Sequence, residues 1–337
     1  MKSPHGSTTR TTFVPAQRRT APDAARKRPT WCDSKCQVTC MTEEGKDHSE
    51  WERLMAAGAE ASAKAKHETA RQLYEQAVKL AERFGPEDVR LGRSLFRLGH
   101  FVSFLNSSAA AEPLTERALA ILGKNLGAQD AEVLECVNEL AGIYFIQGNH
   151  AAAEPLQERY LKAREQALGL AHTEVAALVV NLGTTLCRQR KFFEAERMFA
   201  RWLEAGEKAR GPKDPEVVRI LERLAELYEE ERKYTQAETL YRRLLAQEEA
   251  AGPPVSYLAA RSPYKLGLLC AKQGRYAEAE AFFRRSIAIY EWFSVYNNQA
   301  SVLADFAQLL RKTGRTREAD EADAQARTLR EWHDMTH

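Results

Sequence analysis

One interval dominates this chain: 42 residues. A small residue, preceded by Leu in most copies, recurs as Ala57-Gly58, Leu98-Gly99, Leu140-Ala141, Leu182-Gly183, Leu224-Ala225, Leu266-Gly267 and Phe306-Ala307, in steps of 41, 42, 42, 42, 42 and 40. Twelve residues after each comes a second comb, Ala70, Ala111, Ala153, Ala195, Ala237, Ala279 and Ala319. Five of these are followed by Glu (Glu112, Glu154, Glu196, Glu238, Glu280) and the last by Asp320. Two combs locked together over seven copies restrict the chain to stacked repeats, each too small to bury its apolar face alone.

The inside of a repeat can be read from its punctuation. Asp47, Asp88, Asp130, Asp214 and Ser256 share one phase, His172-Thr173 fills the remaining copy, and Asn297 falls one residue late. Such side chains accept from exposed N–H groups at a helix start. Asp214-Pro215-Glu216 adds Pro at the first helical position and an acid in the first turn. Between the combs lie Gln147-Gly148-Asn149, Gln273-Gly274-Arg275 and Thr313-Gly314-Arg315, with Gly suited to the left-handed backbone beyond a helix end. Each period therefore predicts helix A, a turn, helix B and a loop. The small residue marks where the two axes cross at roughly 8–10 Å.

The pattern Leu266-Gly267 followed by Gly274-Arg275-Tyr276-Ala277-Glu278-Ala279-Glu280 resembles the signature of the tetratricopeptide repeat. A period of 42 residues rather than the usual ~34 is similar to the longer-helix form found in kinesin light chains and related bacterial proteins. The resemblance covers about 47–333. It implies an all-α, right-handed superhelical solenoid of about seven antiparallel helix pairs. The domain reading is a basic, disordered segment 1–46, a solenoid 47–333 and a short tail 334–337. Repeat 1 is degenerate, with Ala70-Arg71, and is expected to cap the stack. Large residues at Tyr160, Trp202 and Leu244, where other copies have Ala or Ser, suggest looser or rotated packing in the middle. Pro253-Pro254 and Ser262-Pro263 mark an irregular junction, where Pro263 is expected to kink or restart helix A.

The resemblance also implies that helix A lines a concave face that holds partner peptides. Two phases are expected to point into it: Arg97, Glu139, Asn181, Arg223, Lys265 and Asp305, and Arg93, Glu135, Ala177, Arg219, Arg261 and Ser301. Asn181, Arg219, Arg223, Arg261 and Lys265 cluster in repeats 4 to 6. Arg219 and Arg223 lie four apart on one helical face, and Arg261 and Lys265 repeat the spacing. Guanidinium groups there could grip carboxylates of an extended acidic peptide. Asn181, Arg219 and Arg223 resemble part of the carboxylate clamp of co-chaperone tetratricopeptide domains. Asn138 and Gly142 stand where that clamp has Lys and Asn, so a basic groove for acidic segments, as in kinesin light chains, is the better match. The competing reading is that these are solvated charges neutralised by Glu222 and Glu226.

Charge and chemistry exclude other classes. The chain carries a net charge of +2, but 1–40 holds 8 Lys/Arg against 2 Asp, which leaves a net of −4 for 41–337. The repeats thus give no basis for nucleic-acid binding. No run of apolar residues is long enough for a transmembrane helix, and the start lacks an apolar signal region. Cys32-x3-Cys36-x3-Cys40 does not match common zinc spacings, and Cys136, Cys187 and Cys270 read as small core residues. The eight histidines form no His-Glu-x-x-His and no Gly-rich phosphate loop is present. No catalytic residue, metal or cofactor is expected. The segment 1–40 reads as a basic arm, a transit peptide, or an extension from a misassigned start, with Met41 as the alternative start. A cytoplasmic location follows, or an organellar one if 1–40 is a transit peptide. The function expected is a protein-interaction scaffold. A motor cargo adaptor like a kinesin light chain is one alternative, although 1–46 contains no heptads. A structural subunit of a larger assembly is another.

Overall fold

The computed structural model describes residues 43–250, 252–254 and 256–336. Helices fill almost all of them. They pair as α1 (Glu43–Ala63) with α2 (His67–Ala81), α3 (Val89–Phe104) with α4 (Ser108–Leu126), and α5 (Ala131–Ile146) with α6 (His150–Leu168). Next come α7 (Thr173–Arg188) with α8 (Phe192–Arg210), and α9 (Pro215–Glu230) with α10 (Tyr234–Glu249). The last pairs are α11 (Arg261–Lys272) with α12 (Tyr276–Trp292), and α13 (Tyr296–Lys312) with α14 (Thr316–Thr336). Short 3₁₀ turns sit at Glu82–Phe84 and Tyr257–Ala260, and no strand occurs among the described residues. All of the pairs except the first four residues of α1 belong to one compact unit, Asp47–His337. The Cys32/Cys36/Cys40 tract, the basic arm and the Met41 start lie outside the described residues.

The combs mark the crossings. All seven Ala residues of the second comb are 0% exposed. At Gly183 an added Cβ would lie 2.2 Å from the Phe199 ring, so α7 and α8 touch only because that position has no side chain. The residue sixteen after the small comb is the one that covers it. It is aromatic at Tyr74, Phe199, Tyr241 and Phe283, all buried.

Seven A–B turns share one backbone device. Ala65, Asn106, Gly148, Arg190, Arg232, Gly274 and Gly314 fall at one phase and all have positive φ, between 54° and 79°. A second glycine series, Gly85, Gly127, Gly169, Gly211 and Gly252, closes the helix B ends with φ of 85° to 124°. It follows the period of the combs.

Caps form at Asp88, Asp130, His172 and Asp214, whose side chains accept from the N–H two residues on. At His172 the acceptor is the ring Nδ1. Two expected caps are not caps. Asp47 lies inside α1, which starts at the acidic pair Glu43-Glu44, and its carboxylate meets Arg83 at 3.0 Å. Asn297 lies inside α13, which starts after Val295 without a side-chain cap. The loop there is shortened, with Ser294 taking the left-handed turn. The 5–6 junction is irregular as expected. Ser256 caps only a 3₁₀ turn, and α11 restarts at Arg261 with 12 residues where α9 has 16. Two of the three large residues of the middle copies are tightly packed, Trp202 at 0% and Leu244 at 2% exposed, whereas Tyr160 is half-buried and borders a cavity. The ring of Trp202 lies against Gly206 of its own helix.

The Glu of each Ala-Glu step binds the turn of the next pair or the last turn of the helix before it. Glu112 accepts from Gln147 at 2.8 Å, and Glu154 from Gln189 and Lys191 at 2.7 Å each. Glu196 accepts from Tyr228 at 2.8 Å and Glu280 from Arg315 at 2.6 Å. Glu238 accepts from Arg275 at 2.7 Å, and the guanidinium holds that carboxyl below the usual carboxylate range. This ladder fixes the rotation of each pair on its neighbour.

Candidate functional site

The helix-A phases expected to face a partner do reach solvent. Asn181 and Arg223 are exposed, and Arg219, Arg261 and Lys265 are half-buried. They lie on α7, α9 and α11, held in rows by the helical repeat of buried Val217, Ile220, Leu221, Leu224 and Leu266 beneath them. The structure brings Arg219, Arg223, Arg261 and Lys265 together on adjoining helices, but each has an acidic partner within the chain. Arg219 pairs with Glu216, and Arg223 with Glu226 at 2.8 Å. Arg261 pairs with Glu222 at 3.1 Å, and Lys265 with Glu229 at 3.2 Å. Glu229 also accepts from Tyr241 at 2.7 Å.

The neutralising pair named from the sequence, Glu222 and Glu226, is therefore present, and Glu216 and Glu229 join it. Glu216 and Glu226 lie three residues from the arginine each pairs with and could be read from spacing, whereas Glu222 pairs with Arg261, 39 residues on. Glu229 sits 36 residues from Lys265, so only the phase of the repeat could have shown it. Burial raises the Glu222 carboxyl, opposed by Arg261. Glu248, at the end of α10, is pushed up to about 7 by burial. Pro215, Val218, Pro253, Pro254, Leu258 and Ala259 surround these charges with an apolar cleft of about 430 Å³ at the 5–6 junction.

Asn181 stands apart from the charges. Its pocket, about 320 Å³, lies between the third and fourth pairs and is shared with Asn138, Gly142, Gln157, Tyr160 and Leu178. Glu139 also lines it, held by His100 at 2.8 Å, and that bond raises the imidazole pKa. Among the described residues no group of three or more His, Cys, Asp or Glu is arranged to hold a metal ion. No described helix is long and apolar enough to cross a membrane.

These features define an α-solenoid of 42-residue helix pairs with an accessible helix-A face. Tetratricopeptide-repeat profiles match residues 133–174, 173–249 with 258–331, and 223–291. The chain belongs to the tetratricopeptide repeat family. No curated protein matches it. Solved structures do. The nearly identical TPR-like repeats of a Podosopora anserina protein named as a kinesin light chain superpose with a TM-score of 0.53 at 20% identity, covering 62% of this chain and 98% of that one. BtubC (BKLC) from P. vanneervenii gives 0.50 at 21%, covering 74% and 92%. A tetratricopeptide repeat protein from Parabacteroides merdae gives 0.54 at 15%, covering 83% and 93%. At these identities the likeness is one of fold.

Proposed function

We propose that this protein is a non-catalytic interaction scaffold whose concave helix-A face holds extended peptide segments, with Asn181, Arg219, Arg223, Arg261 and Lys265 as contacts and the four cations among them serving acidic ones. Membership of the tetratricopeptide family supports the scaffold role. The observation that carries the finer reading is the alignment of four solvent-reaching cations on adjoining helices α9 and α11. Their partners are exchangeable. Side-chain exposures of 38% and 45% at Arg219 and Arg223 leave those ion pairs in a high dielectric, where such pairs contribute about 0–1 kcal/mol. An incoming carboxylate can replace an intramolecular one at little cost and gains bidentate geometry.

The test is binding of a fluorescent Asp/Glu-rich peptide to the full chain and to the Arg219→Glu, Arg223→Glu double variant. The reading expects saturable, salt-sensitive binding to the parent and its loss in the variant. Equal binding to both removes those residues from the site.

A further inference from the structure

We infer that the pocket between the third and fourth helix pairs is a separate subsite for a neutral, amide-bearing peptide segment. The inference rests on the reading that the helix-A face holds peptides, and adds a different chemistry at a place that shares only Asn181 with the residues named above. The pocket exists because two repeat positions are filled unusually. The residue sixteen after the small comb is Gln157 in the third pair, where four other pairs place Tyr74, Phe199, Tyr241 or Phe283 over the crossing. A Gln leaves part of the ring volume empty. On the facing helix, Gly142 opens the floor: an added Cβ there would meet nothing within 4 Å. Gly142 is in the body of α5, where Gly costs roughly 1 kcal/mol of helix propensity against Ala, so neither close packing nor a turn explains it.

Three amides line the pocket beside Ser103 and Glu139, those of Asn138 and Asn181 at its exposed rim. Gln157 Oε1 is buried with no hydrogen-bond partner. The side chains of Asn138 and Asn181 make no hydrogen bond among the described residues. Each amide offers a donor and an acceptor, which matches the donor–acceptor pattern of a peptide main chain or of an Asn or Gln side chain. The cavity, about 320 Å³, is at the small end of ligand pockets and has room for a short stretch of peptide. Tyr160 and Leu178 supply apolar walls. The one charged residue lining it, Glu139, is already answered by His100. An acidic side chain entering the pocket would face a like charge there, and a basic one would first have to displace His100 from Glu139. Asn138 and Gly142 are the residues that depart from a carboxylate clamp. In their place they build an amide-lined cup.

The experiment measures fluorescence anisotropy of three labelled peptides of equal length, one Asn/Gln/Ser-rich, one Asp/Glu-rich and one Lys/Arg-rich. Each is titrated with the full chain, with Gly142→Leu, with Gln157→Phe and with the Arg219→Glu, Arg223→Glu variant. Gly142→Leu fills the pocket from α5 and Gln157→Phe from α6, and thermal melts confirm that both fold. The neutral peptide is expected to bind the parent and the double variant alike, and to bind each pocket-filling variant about tenfold or more weakly. Unchanged neutral-peptide affinity in both filled variants overturns the subsite, as does selection of either charged peptide by the parent with no binding of the neutral one. Acidic-peptide binding that is lost only in the double variant would then leave the wider groove reading standing. Binding of no peptide at all would remove both.

Discussion

Ser262 Oγ donates a hydrogen bond to Glu248 Oε1 at 3.0 Å, and this contact spans the irregular joint between α10 and α11. The other oxygen, Oε2, is buried without a partner. Burial pushes the carboxyl up to about 7, with the Ser262 bond and Arg285 lowering it and Glu222 and Glu249 raising it. The folded protein therefore binds a proton at Glu248 more tightly than the unfolded chain does. The contribution of this group to stability is greatest below about pH 4.5, falls as pH rises toward about 7, and changes no further above that. Glu248→Gln is expected to flatten that fall and to raise stability at pH 8 by on the order of 2–3 kcal/mol. Denaturant melts of parent and variant at pH 5, 6, 7 and 8 measure it.

Gly183→Ala places its methyl 2.2 Å from the Phe199 ring. The seam between α7 and α8 must open or the ring must turn, at a cost of about 1–3 kcal/mol, and Gly183→Leu should cost at least as much. A thermal melt superimposable on the parent would contradict the close approach.

Ala65 and Arg232 hold φ of 54° and 60° in turns where Gly148, Gly274 and Gly314 take the same backbone. Left-handed geometry is strained for a residue with a Cβ. Ala65→Gly and Arg232→Gly should each stabilise by about 0.5 kcal/mol, after the added entropy of the unfolded chain is subtracted. Chemical denaturation gives the difference directly.

Burial pushes the Cys136 thiol up to about 12 and that of Cys187 to about 11, with Cys270 raised for the same cause. The thiolate is the reactive form. Iodoacetamide at pH 8 should leave the peptides carrying these residues largely unmodified in the native protein and label them once denaturant is added. Mass spectrometry of tryptic peptides distinguishes the two states.

The repeat was legible because it depends on local sterics. A crossing that needs no side chain at Gly183 and a cap that needs an acceptor at Asp88 leave the same mark every 42 residues. Asp47 and Asn297 misled because a phase match says where a cap could stand, and helix starts shift when a loop shortens or an acidic first turn precedes it. Looseness at Trp202 was a wrong inference from size alone, since Gly206, four residues on, makes room for the ring. The cations of α9 and α11 were legible as a cluster. The link from Lys265 to Glu229 was not, because it joins residues 36 apart whose rotation is set by tertiary packing. The pocket at Gly142 was in view only as a mismatch. Seeing it as space required knowing that Gln157 replaces a ring.

The glutamate ladder has a mechanical outcome at the 5–6 joint. Its rung from Glu238 to Gln273 and Arg275 crosses that joint as the other rungs cross theirs. The opposite border carries Pro253, Pro254 and a 3₁₀ turn in place of a full first turn of α11. That border is bridged by single side-chain contacts, Ser262 with Glu248 and Arg261 with Glu222, in place of a full helical turn, so it is the more yielding of the two. Flexing of the array should thus concentrate at Arg275–Glu238 as its axis, widening or narrowing the apolar cleft beside Pro253 and Pro254 while the spacing of the other pairs stays fixed.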